Sequence, residues 1–370
     1  MKKVIFYLLV GLTIIIFLRE IIIHKEVFLS SYDYLYWEQR YLNSQWVKGW
    51  EAKEKMGDAE LYAYAGWRQI KGDDPTKINP EVPPLGKYLI GLSILIFNNP
   101  VMISPIFGFL FLVTIFLLSK KILKDNLLAI IPVFLINFDS LFRENLTTSM
   151  LDLPFSLFIA LAFFSLLKGK ENKLFYLLSV IFLGMVSTTK MYLVGFALIG
   201  VFIFYLFLLL VIEKRKDIFW FLGFLPVFVI FYLGVYIGYF LKGHNFGDFK
   251  YLHFWIRHFA RVQVENYPKG EILRILLLGK WKTWWDKGEI INVVSWRPWW
   301  ALSFILSLLS FFETILKRKL KLFLLILWPF SLLVMFSMGV PYPRYLLPVL
   351  PPLYILLCYN LKKFILRWKN

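Results

Sequence analysis

The chain has 370 residues, is 59% hydrophobic and 19% aromatic, and is only 18% charged, against a soluble norm of about 25% charged. That composition excludes a soluble domain, and the single cysteine, Cys358, excludes a disulfide framework or a cysteine-based metal site within one chain. A net charge of +18 does not make the chain a nucleic-acid binder, because its basic residues alternate with apolar segments instead of lining one polar face.

In chain order, apolar runs at 4–23, 101–119, 127–142, 153–167, 174–189, 191–212, 218–241, 299–316, 322–340 and 345–361 predict an all-α polytopic membrane protein. Its single domain, 1–370, holds roughly 10–11 transmembrane helices. The first run follows Lys2 and Lys3 and leads into Ile23-His24-Lys25-Glu26 with no small-residue cleavage site, so it reads as an uncleaved anchor with its N-terminus inside. Every second connection is then short and basic: Lys120, Lys121 and Lys124; Lys168, Lys170 and Lys173; Lys214, Arg215 and Lys216; Lys317, Arg318, Lys319 and Lys321; and finally Lys362, Lys363, Arg367 and Lys369. These clusters place both termini in the cytoplasm, provided that 85–97, which opens on two prolines, is an interfacial or re-entrant helix.

Two large loops, 24–100 and 242–298, fall on the outer side together with short connections at 143–152, 190 and 341–344. Long loops translocate largely regardless of their charge, so the basic residues within them do not overturn the assignment. Eleven of the fourteen tryptophans lie on this side, as an aromatic belt would place them, with sugar stacking the sharper reading for a few. Apart from Arg19, Glu20 and Glu313, the spans hold almost no charge. Transporters place ionisable groups or broken helices near the midplane. Ionisable groups gathered at the outer interface suit an enzyme acting on a membrane-embedded substrate, and a transporter or flippase is the alternative.

In the first loop, Gly57-Asp58-Ala59-Glu60-Leu61-Tyr62 should open a helix, with Asp58 also suited to an N-cap. The stretch Pro83-Pro84-Leu85-Gly86-Lys87-Tyr88-Leu89-Ile90-Gly91 follows, and its Lys87 would ordinarily be a snorkelling lysine. Farther on come Arg143, the pair Leu151-Asp152, Lys190 and the run Arg344-Tyr345-Leu346-Leu347-Pro348, all at outer helix ends. Asp152 also suits an N-cap.

These motifs resemble the polytopic glycosyltransferases of the protein O-mannosyltransferase type and their bacterial relatives, GT-C enzymes that use polyprenyl-phosphate sugars. The resemblance spans most of the chain and is strongest at Pro83–Gly91. Two features depart from it: Ala59 separates the two acidic residues, and Val82 stands where a histidine is often found. At 370 residues the chain is not expected to carry the soluble luminal domain of the family's eukaryotic members.

The resemblance implies inverting transfer of a sugar, mannose being the family's best-known cargo, from a polyprenyl-phosphate carrier to an acceptor hydroxyl on the outer face of a prokaryotic plasma membrane. A phosphate leaving group is stable as an anion and needs positioned cations, for which Lys87, Arg143, Lys190 and Arg344 are the candidates. The hydroxyl needs a base. Asp58 is the choice and Glu60 the reserve, with Asp152 orienting a cation or the acceptor.

Tyr62, Trp284 and Trp285 are candidates for acceptor or lipid contact. The acceptor is left open between protein, glycan and lipid, and nucleic acid is excluded as a partner. No cofactor beyond the lipid-linked sugar is implied. His24, His244, His253 and His258 keep a divalent metal open, but His253 and His258 lack the spacing that would put two ligands on one helical face.

Overall fold

The computed structural model describes residues 2–265, 267–283 and 288–367. Helix α1 (Lys2–Ile23) leads into a loop of short helices: α2 (Lys25–Leu29), α3 (Tyr34–Leu42), α4 (Gln45–Lys48), α5 (Asp58–Ile70) and α6 (Pro84–Phe97). Next come α7 (Ile103–Leu123), α8 (Asn126–Phe138), α9 (Ser140–Leu146), α10 (Asp152–Lys168), α11 (Leu174–Thr189), α12 (Tyr192–Glu213) and α13 (Asp217–Val235). The second large loop holds α14 (Ile237–Leu241), α15 (Phe246–Val264), α16 (Glu271–Leu278) and a small antiparallel hairpin of β1 (Lys280–Lys282) and β2 (Ile290–Asn292). Helices α17 (Pro298–Leu316), α18 (Leu320–Ser337) and α19 (Leu350–Arg367) complete the chain.

Among the described residues, α1, α7, α12, α13 and α18 are long and apolar enough to cross a membrane, and α8 with α9 forms a further pair bent by 65°. Together with α10, α11, α17 and α19 they build an all-helical polytopic bundle at the places where the apolar runs predict spans. Helix α10 is buried nearly all round, as a central helix must be, whereas α1 buries only Thr13 and Glu20. The core is aromatic: the Phe163 ring on α10 stacks on Trp328 of α18 at 4.4 Å and meets Phe202 of α12 edge-on at 4.7 Å.

Three boundaries differ from the sequence expectation. The run 127–142 is broken at Asp139, whose carboxylate accepts from the Leu141 amide at 3.0 Å, from Trp300 Nε1 at 2.6 Å and from the Tyr354 hydroxyl at 3.1 Å. A side chain that caps the second segment turns the backbone out of the first helix. The run 218–241 divides at Tyr236 into α13 and α14, and 345–361 becomes helical only from Leu350, because Pro343–Leu346 forms a 3-10 turn.

The basic connections gather at one end of the bundle. Lys168 reaches Glu171 at 2.7 Å and Lys121 pairs with the same carboxylate, Lys170 reaches Glu213 at 3.1 Å, Lys363 reaches Glu313 at 2.7 Å, and Lys362 donates to the Leu123 carbonyl at 2.8 Å. The ends of α7, α10, α12, α17 and α19 are tied together by these contacts, so the opposite ends of the same helices form the other face.

Candidate active site

The polar cluster at that other face is assembled from four segments that sit far apart in sequence. Asp58 is the first residue of α5, and the capping work there falls to its neighbours: Gly57 is the cap residue, and Glu60 accepts from the Gly57 amide at 2.9 Å. The Asp58 carboxylate is thereby left to face outward from the helix start, where Arg344 pairs with it. Asp152 opens α10 and is almost fully buried. One of its oxygens pairs with Lys190, at the junction of α11 and α12, and the other lies 3.5 Å from Arg344 Nε. The charges therefore alternate in a chain, Asp58, Arg344, Asp152, Lys190.

Close backbone packing sets these segments. A Cβ on Gly66 of α5 would meet the Lys87 carbonyl of α6 at 2.3 Å, and one on Gly91 would meet the Gly66 carbonyl at 2.2 Å, so the two helices cross through glycine. Gly86, at the start of α6, fits against the Leu151 side chain and the Thr189 carbonyl, the residues just before Asp152 and Lys190, where a Cβ would come within 2.7 and 2.8 Å. The Ser149 hydroxyl donates to the Ala59 carbonyl at 2.8 Å and fastens the first turn of α5 beside the start of α10.

Aromatic rings enclose the cations. Lys190 Nζ lies 4.4 Å from the centre of the Tyr345 ring, and the Arg344 guanidinium carbon lies 4.3 Å from Tyr342 and 6.0 Å from Tyr345. Burial pushes the Lys190 ammonium down to about 8, opposed by the Asp152 charge. Burial also works against the Arg344 charge, but Asp152, Tyr345 and Asp58 outweigh it and hold the guanidinium above its ordinary range. One turn beyond Asp58, Tyr62 is buried, and burial followed by the Asp58 charge raises its phenol well above the usual value. The cluster is graded: Asp58 and Arg344 keep 30% and 21% of their side-chain surface, whereas Asp152 and Lys190 keep 2% and 5%.

Of the residues singled out in the sequence, the structure brings Asp58, Tyr62, Asp152, Lys190 and Arg344 together. It does not bring in Glu60, which pairs with Arg40 at 3.2 Å besides capping α5, or Arg143, which faces Glu20 of α1 at 3.4 Å. Nor does Lys87 join them. It is fully buried and donates to the Asn79 carbonyl at 2.7 Å and the Ile78 carbonyl at 3.3 Å. Burial pushes its ammonium down to about 7, against the pull of Glu81. Trp284 and Trp285 lie outside the described residues.

Tyr342 and Ser149 do not stand out in the sequence, and Tyr345 does so only within the run that follows Arg344, with no role of its own, although an aromatic beside an interfacial arginine is a usable signal. Among the described residues no group of three or more His, Cys, Asp or Glu side chains converges, and both site carboxylates are already faced by cations. That donor set does not fit a resident divalent ion, which takes several oxygen ligands free of competing cations.

No family model matches the chain, and no curated protein matches it either. Solved structures do. ArnT from Cupriavidus metallidurans, bound to undecaprenyl phosphate, superposes with a TM-score of 0.55 at 14% identity, over 96% of this chain and 60% of that one. The oligosaccharyltransferase of Archaeoglobus fulgidus in the apo form gives 0.54 at 15% identity, over 93% of this chain and 50% of that one. The archaeal AglB from the same organism, in complex with an inhibitory peptide and a dolichol-phosphate, gives 0.52 at 15% identity, over 96% and 50%. The chain thus spans between half and three-fifths of the length of these proteins. At such identities the likeness is one of architecture: the chain has the fold of GT-C membrane glycosyltransferases.

Proposed function

We propose that this protein is a glycosyltransferase that moves a sugar from a polyprenyl-phosphate carrier to an acceptor hydroxyl at the outer membrane face, with inversion. The observation that carries the reading is the chain of alternating charges at the non-basic end of a GT-C bundle: two carboxylates and two cations, partly open to the surface at Asp58 and closed at Lys190.

Asp58 takes the proton of the acceptor hydroxyl, whose oxygen forms the new bond to the anomeric carbon as the bond to the phosphate oxygen breaks. The polyprenyl phosphate leaves as an anion and needs no acid. Arg344 can grip it in a bidentate manner and Lys190 as a point charge. Asp152 is a positioning residue that holds both cations. Because Arg344 faces Asp58 as well, an arriving phosphate competes for the guanidinium and releases the base at the moment the donor is seated. Tyr62 and Tyr345 provide ring surface beside the reacting sugar.

Lys87 has a supporting role, binding the 78–79 carbonyls and so fastening the connection into α6. The sugar suggested by the O-mannosyltransferase resemblance is mannose, the acceptor is protein, glycan or lipid, and the orientation is that of a prokaryotic plasma-membrane protein with both termini in the cytoplasm.

The test uses purified protein in lipid nanodiscs, a panel of radiolabelled polyprenyl-phosphate sugars, and membrane extract as acceptor. Asp58→Asn should bind donor yet lose about a hundredfold or more in transfer rate, while Glu60→Gln keeps most of it. A wild type that moves lipid-linked sugar across the bilayer without transfer, with Asp58→Asn unchanged, would overturn the reading in favour of a flippase.

A further inference from the structure

Helix α15 is well started: Asn245 accepts from the Gly247 and Asp248 amides at 2.7 and 3.1 Å, and Asp248 returns a bond to the Asn245 amide at 2.8 Å. One side of it packs on the end of α13, a helix long and apolar enough to cross a membrane, and on the short α14 beyond it. His253 Nε2 meets the Tyr232 hydroxyl at 2.6 Å, Phe249 packs on Tyr236 at 5.1 Å, and Ile256 is buried. Because Tyr232 lies in the last turn of a spanning helix, the middle of α15 sits at the level where the hydrocarbon ends.

The opposite side of α15 is exposed, while Leu252, Trp255 and Phe259 are half-buried. At about 100° per residue, Lys250, Arg257 and Arg261 fall within an arc of about 40°, and the adjoining arc of about 80° holds Phe254, Tyr251 and Val262, with the exposed His258 among them. The three apolar side chains are 66%, 68% and 54% exposed, far more than a water-facing helix leaves bare in one patch. The three basic side chains are exposed, and among the described residues none of them forms an ion pair.

A basic arc that adjoins an apolar arc, on a helix held at the edge of the bilayer, matches the pattern of helices lying in a membrane interface. Asp248 is the only acidic residue on α15, so the exposed face is complementary to anionic headgroups. We propose that α15 docks on an anionic lipid surface, with Phe254, Tyr251 and Val262 entering the acyl boundary and Lys250, Arg257 and Arg261 meeting the headgroup phosphates. The inference rests on the fold and does not depend on the proposed transfer reaction.

The full chain, with Cys358→Ser as background, is given Tyr251→Cys or Val262→Cys, spin-labelled and placed in nanodiscs of phosphatidylcholine alone or with phosphatidylglycerol. Membrane depth is read from the ratio of collision rates with oxygen and with a water-soluble nickel chelate. In the anionic discs the label should lie about 5–10 Å below the surface and lose most of its nickel contact, and it should be shallower in the neutral discs.

The difference between the discs should vanish when Lys250, Arg257 and Arg261 are all changed to Gln. In the unaltered stripe it should vanish when salt is raised from about 0.1 to about 1 M, which shortens the screening length from about 10 to about 3 Å. A label that is water-exposed in both discs, or equally deep in both, overturns the proposal. So does protection that appears only when an acceptor protein is added, which would assign the face to protein docking.

Discussion

Asp152→Asn separates a charge effect from a shape effect, because the new side chain keeps the volume and one acceptor oxygen while removing the charge that faces Lys190. Breaking a buried ion pair by removing one partner costs about 3–5 kcal/mol if the remaining charge is retained. Lys190 has another course. Its ammonium is already pushed down to about 8 beside Asp152, and without that carboxylate its folded value falls further.

The unfolded chain then binds more protons than the folded one over a wider range, so stability linked to Lys190 rises with pH: from about 8 upward in the wild type, and from a lower pH in the variant. The difference between the two proteins is therefore smallest above pH 8, where both have shed the proton and the loss is about 1 kcal/mol of hydrogen bonding. Each pH unit below that adds about 1.4 kcal/mol, until the deficit meets the ceiling for an unpaired buried charge.

Thermal unfolding in nanodiscs between pH 6 and 9 reads this directly. Asp58→Asn is the control: its direct partner Arg344 keeps its charge throughout and Asp58 is a smaller support of the Lys190 charge than Asp152, so the deficit should change far less with pH. A deficit for Asp152→Asn that is independent of pH, or that grows as pH rises, would refute the reasoning.

Gly66→Ala drives a methyl group into the Lys87 carbonyl at 2.3 Å. Backbone cannot step aside as a flexible side chain can, so α5 and α6 must separate at a cost of about 1–3 kcal/mol or more, read as a lowered unfolding midpoint with weaker donor binding. Asp139→Ala leaves the buried Trp300 N–H without its acceptor and removes a partner of the Tyr354 hydroxyl. A loss of about 1–3 kcal/mol for the indole alone is expected, and Trp300→Phe on the same background should recover part of it.

The apolar runs and the basic connections were readable because hydropathy and charge bias are local properties, and the places of the bundle helices follow from them. The break at Asp139 was not. Its partners Trp300 and Tyr354 lie 161 and 215 residues away, and a lone carboxylate inside 127–142 shows nothing of them. The site divides along the same line. Asp58, Asp152, Lys190 and Arg344 stood out as polar residues at helix ends, a local signal, but the pairing of Asp58 with Arg344 joins residues 286 apart and comes from the fold alone. Lys87 shows how direction escapes the sequence. It belongs to the most distinctive motif in the chain, yet the glycine contact between α5 and α6 fixes the rotation of α6, and that rotation aims the ammonium at the 78–79 carbonyls. A cation in a motif is legible; the side of the helix from which it acts depends on two hydrogen atoms, at Gly66 and Gly91, standing where other residues carry a Cβ.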